Sequence, residues 1–457
     1  MSDKFYAKGP GNEGYIKNME VLAFHPMDGY SMFQMALHRT EDGRYYLYGA
    51  GRTTAVCPIF DVTDPREPKL VSSLNVLENA PYQKVLKIQA ADGLLITALS
   101  CGAGAGKASG MYDPEKNQYG SGRSDFHVYD LREDPLHPKF LGYWDNGIRG
   151  ANGVHRFFYN GGRYVHVSSD CAGFEGPIYR IVDIKDPAHP VEAGRWWLPE
   201  QFADGQIGND FDPAAPHNPE FMAKGWLHGP PYVRDGLAYC GYAGAGMVIV
   251  DVHDVARPKL LGRLALQPPF SSYHAGAKTH TALPLPGRPY CVVTNEGERF
   301  AWFTKEKLKG IPQAMNNLHM VDISDPARPT LIAEFPYPEV PENFPFPNFN
   351  DMGIGCPGPF GPHNIHEPMD NKPYLDQRND RIYCCYFHAG MRVYDVSDPF
   401  YIKEIAYFIP PNPLEHTFKA NVGPVIATTE DCVVDDRGNI FMDTYQDGLY
   451  VLRVKEN

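Results

Sequence analysis

Six times along the chain an apolar strand runs into an aspartate and then, a few residues on, into a second one. The units read FDVTDPREPKL from Phe60, YDLREDPLHPKFLG from Tyr129, VDIKDPAHPVEAG from Val182, VDVHDVARPKLLG from Val250, VDISDPARPTLIA from Val321 and YDVSDPFYIKEIA from Tyr394. A proline follows the second aspartate in five of them, Val255 standing in its place in the fourth. The first aspartates are spaced by about 50 to 70 residues, the length of a four-stranded propeller blade with loop insertions. The unit makes sense as the hairpin between a blade's third and fourth strands. The second aspartate takes the first position of a turn, and the proline, its φ already preset, takes the next. A second proline opens the following strand, where a missing N–H is tolerated only at an edge. Ile402 replaces it in the sixth unit. The aspartates are therefore expected to be structural.

Composition agrees with an all-β chain. Gly 44 and Pro 42 are high, and short Val/Ile/Tyr/Phe runs alternate with turn signals where long helical periodicity is absent. A seventh blade is incomplete: CVVDDRGNIFMDTYQDGLYVLRV, 432 to 454, supplies three strands, and NMEVLAFHP, 18 to 26, looks like the missing fourth. The expectation is one domain over 1–457, a seven-bladed β-propeller closed by an N-terminal strand in the last blade. These units resemble the LVIVD repeat, named for an apolar strand running into Asp and found in propeller proteins. That resemblance implies architecture and says little about function.

The partner classes are narrowed by charge. Lys and Arg total 42 against 55 acidic residues, a formal net charge of -13, and no basic run interleaves with aromatics, so nucleic acid is an unexpected partner. The N-terminal MSDKFYAKGPGNEGY has no basic and then apolar leader, and no long apolar run follows anywhere. A cytoplasmic protein without a membrane segment is expected. Nine cysteines lack zinc-knuckle spacing, and Cys240, Cys291 and Cys384 fall in strands, which fits reduced thiols used for packing.

With the aspartate turns on one face, the long insertions at 100–125, 199–225, 295–317 and 338–362 gather on the other, where sites on a rigid scaffold are usually built. The innermost strand of four successive blades starts on that face with a histidine: His155, His228, His280 and His366. The first three stand at nearly one distance before the hairpin glycines Gly162, Gly236 and Gly287. In the remaining blades the matching places are near Ala36, Leu86 and Glu430. Ordinary partly buried imidazoles are one reading of this ring. The other is a divalent transition metal bound by His155, His228, His280 and His366, with iron favoured and copper, zinc or manganese possible. Glu296, Glu367 and Glu430 reach the same face and would orient the imidazoles.

The layout, though no local motif, is similar to carotenoid cleavage oxygenases and more loosely to methanethiol oxidase and selenium-binding protein. Around the ring, His388 and His363 are candidate acid–base or pocket groups, Arg52 a carboxylate binder, and Tyr273 with His274 pocket lining. His363 is assigned to the substrate side of the loop and not to the metal. His137, His189 and His253 fall in the aspartate turns and are excluded. Three functions stay open: an oxidoreductase or oxygenase on a small organic substrate, a metal-dependent hydrolase or lyase, and a non-catalytic interaction scaffold. Oligomeric state is not readable.

Overall fold

In all six units both aspartates cap their own turns. The first accepts the N–H two residues on: Thr63 at 3.0 Å from Asp61, Arg132 at 2.9 Å from Asp130, Lys185 at 2.8 Å from Asp183, and likewise at Asp251, Asp322 and Asp395. The second does the same at Asp64, Asp134, Asp186, Asp254, Asp325 and Asp398. These are Asx turns, so the carboxylates are consumed by the backbone. Their role is structural, as their positions in the sequence suggested.

The computed structural model describes residues 14–52, 55–77, 84–100, 112–113, 118–119, 125–147, 153–202, 225–270, 278–296, 315–345, 349, 360–414, 426–444 and 448–456. The turns join strands in seven four-stranded antiparallel sheets, the blades of a propeller. Blade one shows the plan: Met32–Arg39 innermost, then Tyr45–Gly51, Val56–Asp61 and outermost Lys69–Asn75. The outer strand alternates exposed and covered residues, whereas the inner three are buried on both faces. The core lies between blades: Tyr48 and Ile59 of blade one pack in one cluster with Val85 and Ile88 of blade two. Every described cysteine is a buried free thiol. The described helices are 3-10 turns such as Met27–Gly29 and Pro199–Gln201, and none is long and apolar enough to cross a membrane.

Ring closure uses the N-terminal segment twice. Met19–His25 pairs antiparallel with Gly448–Val454 as the outermost strand of blade seven, from Met19 opposite Val454 to His25 opposite Leu449. This is the closing strand expected from the sequence. Immediately before it, Tyr15–Lys17 pairs with Lys403–Ile409 at the outer edge of blade six. Asn18 makes the step between blades with φ +51, its side chain donating to the Ile405 carbonyl at 2.8 Å. Blade six lacks a regular innermost strand. The stretch around Ile365 takes that place through a bridge to Cys384 and three main-chain bonds: His363 N–H to Cys385, Cys385 N–H to Asn364, and His366 N–H to Tyr383.

Candidate metal centre

The innermost strands do not start cleanly. In five blades the register slips near the start by one residue: over Phe33 and Gln34, at Leu86, at His155, over His280 and Thr281, and over Glu430 and Asp431. A bulge turns the extra residue off the sheet's alternation and re-aims its side chain, here at equivalent places around the channel. His228 reaches the same level from the segment before Tyr232–Arg234, anchored by its N–H to the Gly241 carbonyl at 2.9 Å. The His280 main chain presses on this blade. A Cβ at Gly229 would lie 1.8 Å from the His280 carbonyl oxygen, and one at Gly241 2.1 Å, so only glycine lets the two histidines meet.

Four imidazoles form a chain of ring contacts: His155 to His228 at 5.4 Å between centroids, His228 to His280 at 4.6 Å, and His280 to His363 at 5.2 Å. Glu296, at the end of Tyr290–Glu296, sits among them. Its carboxylate is 3.2 Å from His228 Nε2 and 3.4 Å from His363 Nε2, and Lys278 Nζ is 3.1 Å away. One donor atom each from His228, His280 and Glu296 lies within 4.8 Å of the other two.

Whether these residues suit a cation is tested by their hydrogen bonds. His155 Nε2, His228 Nδ1 and His280 Nε2 are enclosed and find no hydrogen-bond partner among the described residues. A buried polar atom left so costs about 1–3 kcal/mol unless something else meets it. The far nitrogens are held: His280 Nδ1 is 2.8 Å from the Thr281 hydroxyl, and His363 Nδ1 is 3.0 Å from the Glu430 carbonyl. This is how ligating imidazoles are oriented. Burial, more than the neighbouring cations, drives the pKa values of His155, His228 and His280 well below the ordinary histidine range, so the rings are neutral, the form that binds metal. The residues present fit a nitrogen-rich divalent centre with one carboxylate.

His366 does not join this group, contrary to the expectation that it starts an innermost strand as the other three histidines do. Its Nε2 is 2.9 Å from the Asp376 carbonyl and its Nδ1 accepts the Val434 N–H at 3.1 Å, so both nitrogens are used between blades six and seven. The hairpin after it, residues 367 to 380, lacks the short glycine turn of the other blades, so no glycine marks its register as one does for His155, His228 and His280. In extended chain, residues three apart point to opposite sides. His363 and His366 do so, and His363 is the one beside His280.

Of the expected orienting carboxylates, Glu296 and Glu430 are at the site. Glu430 is 3.1 Å from Arg52 Nη1 and 3.8 Å from His363 Nδ1. Glu367 lies further along the inner strands, bonded to Lys87 at 2.6 Å, Gln89 at 2.7 Å and the Tyr232 hydroxyl at 2.7 Å. Among the described residues His388 packs on Phe349 and Phe360. Tyr273 and His274, and most of the insertions at 100–125, 199–225 and 295–317, lie outside the described residues.

Four aromatic or cationic neighbours, Trp226, Phe387, Phe33 and Arg156, were not foreseen. Trp226 packs against His228 at 4.6 Å, Phe387 stacks on His363 at 4.7 Å, and the Arg52 and Arg156 guanidinium groups both stand 4.7 Å from the Phe33 ring. Phe387 holds φ +47, a conformation a bulky side chain adopts only when its surroundings impose it. Thr429 pins it there, its N–H and hydroxyl both bonding the Phe387 carbonyl. A trace of this was visible in YFHAGMRVYD set beside YAGAGMVIVD, where Ala243 occupies the same kind of turn with φ +33.

The LVIVD repeat matches residues 179–196, 232–265 and 313–335, three of the six units read from the sequence. The chain is thus a propeller carrying LVIVD repeats. No curated protein matches it. Among solved structures, the Cps50 (Swd1) β-propeller domain of Myceliophteria thermophila is similar with a TM-score of 0.51 at 10% identity, covering 94% of this chain and 99% of that one. Sqt1 of Saccharomyces cerevisiae gives 0.47 at 8% identity, covering 93% and 82%. At such identities the likeness to Cps50 concerns the fold alone.

Proposed function

We propose that this propeller is a metal-dependent oxidoreductase acting on a small organic substrate, with one divalent first-row ion held by His228, His280, His363 and Glu296 and with His155 beside them. The observation that carries the reading is the convergence of His228, His280 and Glu296 donor atoms within 4.8 Å in a place where the imidazoles are neutral and two of those rings have a nitrogen without a hydrogen-bond partner among the described residues. Three imidazoles and one hard carboxylate suit Fe(II) best, with Mn, Cu and Zn as competitors. Bound there, such an ion would supply a redox or Lewis-acid centre. The chain's own residues do the rest. Thr281 and the Glu430 carbonyl fix the rings, Lys278 pairs with Glu296, and Trp226, Phe33 and Phe387 wall the imidazoles with apolar surface.

One feature favours a hydrolase or lyase instead. Glu430, 3.8 Å from His363 and paired with Arg52, is placed as a general base near the ion. Elemental analysis of protein purified without a histidine tag tests the centre, and about one equivalent of metal is expected. None on isolation, and none after reconstitution with Fe(II), Mn(II), Cu(II) or Zn(II), would leave a non-catalytic interaction scaffold. Oxygen uptake by Fe(II)-loaded protein separates the two enzyme readings. O₂ consumed in step with turnover of a small organic substrate supports the oxidoreductase, and turnover without O₂ supports the hydrolase or lyase.

A further inference from the structure

Glu367 joins blades that do not neighbour its own. It belongs to blade six, which has blades five and seven beside it in the ring. Its Oε1 accepts from Lys87 Nζ at 2.6 Å and from the Tyr232 hydroxyl at 2.7 Å, and its Oε2 accepts from Gln89 Nε2 at 2.7 Å. Lys87 and Gln89 lie on Lys84–Ala91, the innermost strand of blade two, and Tyr232 opens Tyr232–Arg234, the innermost strand of blade four. A side chain of blade six meets both only by reaching across the channel. The hairpin that follows crosses it as well: Asn371 donates to Asp92 of blade two at 2.7 Å, and Arg234 of blade four donates to Asp370 at 3.1 Å.

These bonds leave little choice of position. Gln89 Oε1 accepts the Tyr159 N–H at 2.6 Å, so its amide is turned with Nε2 toward Glu367. Lys87 and Gln89 are each 2% exposed, where bulk water does not replace a partner that moves away. The stretch that carries Glu367 also carries His363, four residues earlier. In extended chain such residues point to the same side, at levels about 13 Å apart. His363 thus faces the imidazoles at the channel mouth, and Glu367 faces the cross-channel partners below. A shift of one residue would turn His363 away from His280 and at the same time take Glu367 from Lys87, Gln89 and Tyr232.

We infer that Glu367 is the positioning residue of the candidate metal centre: gripped from across the channel by blades two and four, it locks the register of residues 363–366 and so keeps His363, in place of His366, among the imidazoles. It touches none of the ligands and acts through the main chain. The consequence for metal rests on the metal-centre reading, whereas the lock itself is measurable in metal-free protein.

Hydrogen exchange read by mass spectrometry tests the lock. The His363 N–H bonds the Cys385 carbonyl, the Cys385 N–H that of Asn364, and the His366 N–H that of Tyr383. In metal-free Glu367→Ala these three amides should exchange roughly tenfold faster or more, as in a local opening. The amides of Tyr45–Gly51 and Val56–Asp61 in blade one, which Glu367 does not bond, should keep their parent rates. With Co(II) as the probe, affinity should fall roughly 10- to 100-fold, the scale found when a group that orients a ligand is lost, and the visible absorption of the bound ion should change as one nitrogen leaves it. Tyr232→Phe removes one of the three bonds and keeps the Lys87 pair; it should give the same pattern at smaller size, and it stands in if Glu367→Ala does not fold. Parent exchange rates at His363, His366 and Cys385 would overturn the proposal, as would a rise shared equally by blade one, or faster local exchange with Co(II) affinity and spectrum unchanged. A parent that takes up no Co(II), with the stretch still loosened locally in the variants, keeps the register lock and loses the metal centre.

Discussion

Histidine meets carboxylate on both faces of the ring. On the turn face His137 lies 2.8 Å from Asp134, His189 2.9 Å from Asp186 and His253 2.8 Å from Asp251, with the histidine side chains 68% to 81% exposed. At the channel mouth His228 lies 3.2 Å from Glu296, and both side chains are 2% exposed. Distance would rank the turn pairs as the stronger. Solvent reverses that order. An exposed pair exchanges one well-solvated arrangement for another, while a buried one has replaced water by protein and depends on every partner it kept. The same two residue types therefore finish a hairpin on one face and furnish a candidate cation site on the other.

The widest gap between the faces is expected in metal content. His280→Ala should abolish stoichiometric metal, and His253→Ala should leave it unchanged by elemental analysis. A His280→Ala protein that keeps its metal would make the channel histidines as structural as those of the turns. Next comes stability. Glu296→Ala in metal-free protein breaks a buried ion pair with Lys278 and should cost about 3–5 kcal/mol in urea unfolding. Arg257→Ala, which removes an exposed partner of Asp254, should not move the midpoint measurably.

The smallest effect is the dependence on pH, and its two contributions set in at different pH values. His155, His228 and His280 have folded pKa values well below 6.5, so below about pH 6.5 the unfolded chain takes up protons that the folded chain refuses. Stability of the metal-free protein should fall from there downward, by at most about 1.4 kcal/mol per pH unit for each histidine. Metal should hold the curve flat to lower pH. Asp134, Asp186 and Asp254 have folded values below 3.8, held down chiefly by hydrogen bonds from His137, His189 and Arg257. Their contribution is complete above pH 3.8 and is lost as pH falls through the folded values. Urea midpoints at about pH 7.5, 5.5 and 3.5 tell them apart: His228→Gln should lessen the drop already between the first two points, and Asp186→Asn only the drop between the last two.

Most of the architecture was legible because it is repetitive. Six Asp turns and one incomplete blade fix the number of blades and the strand that closes them, and each turn carries its own physical reason in Asp and Pro. The site was legible where it follows the repeat, as at His155, His228 and His280, and opaque where it departs from it. His363 and His366 share one short proline-bounded stretch, and which of them faces the channel depends on a hairpin with no glycine to mark its turn. The bulges that aim Phe33 and Glu430 leave no periodic trace, since one extra residue in a strand changes spacing by less than loop lengths vary. The extra strand Tyr15–Lys17 was hidden by its brevity.

The pairing of Met19 with Val454 also orders events in time. Strand Met19–His25 leaves the ribosome more than 400 residues ahead of its partner Gly448–Val454. At roughly 5–20 residues per second, the first waits on the order of half a minute or longer for the second. Throughout that interval blade seven does not exist, blade one has an uncovered flank, and a strand with Val21, Leu22 and Phe24 is in search of an edge. A growing chain of this kind can pair with its own unfinished blades or with a neighbouring nascent chain. Its vulnerable period is therefore synthesis, and the yield of the protein in cells should respond to chaperone supply and to translation speed more sharply than its finished stability would suggest.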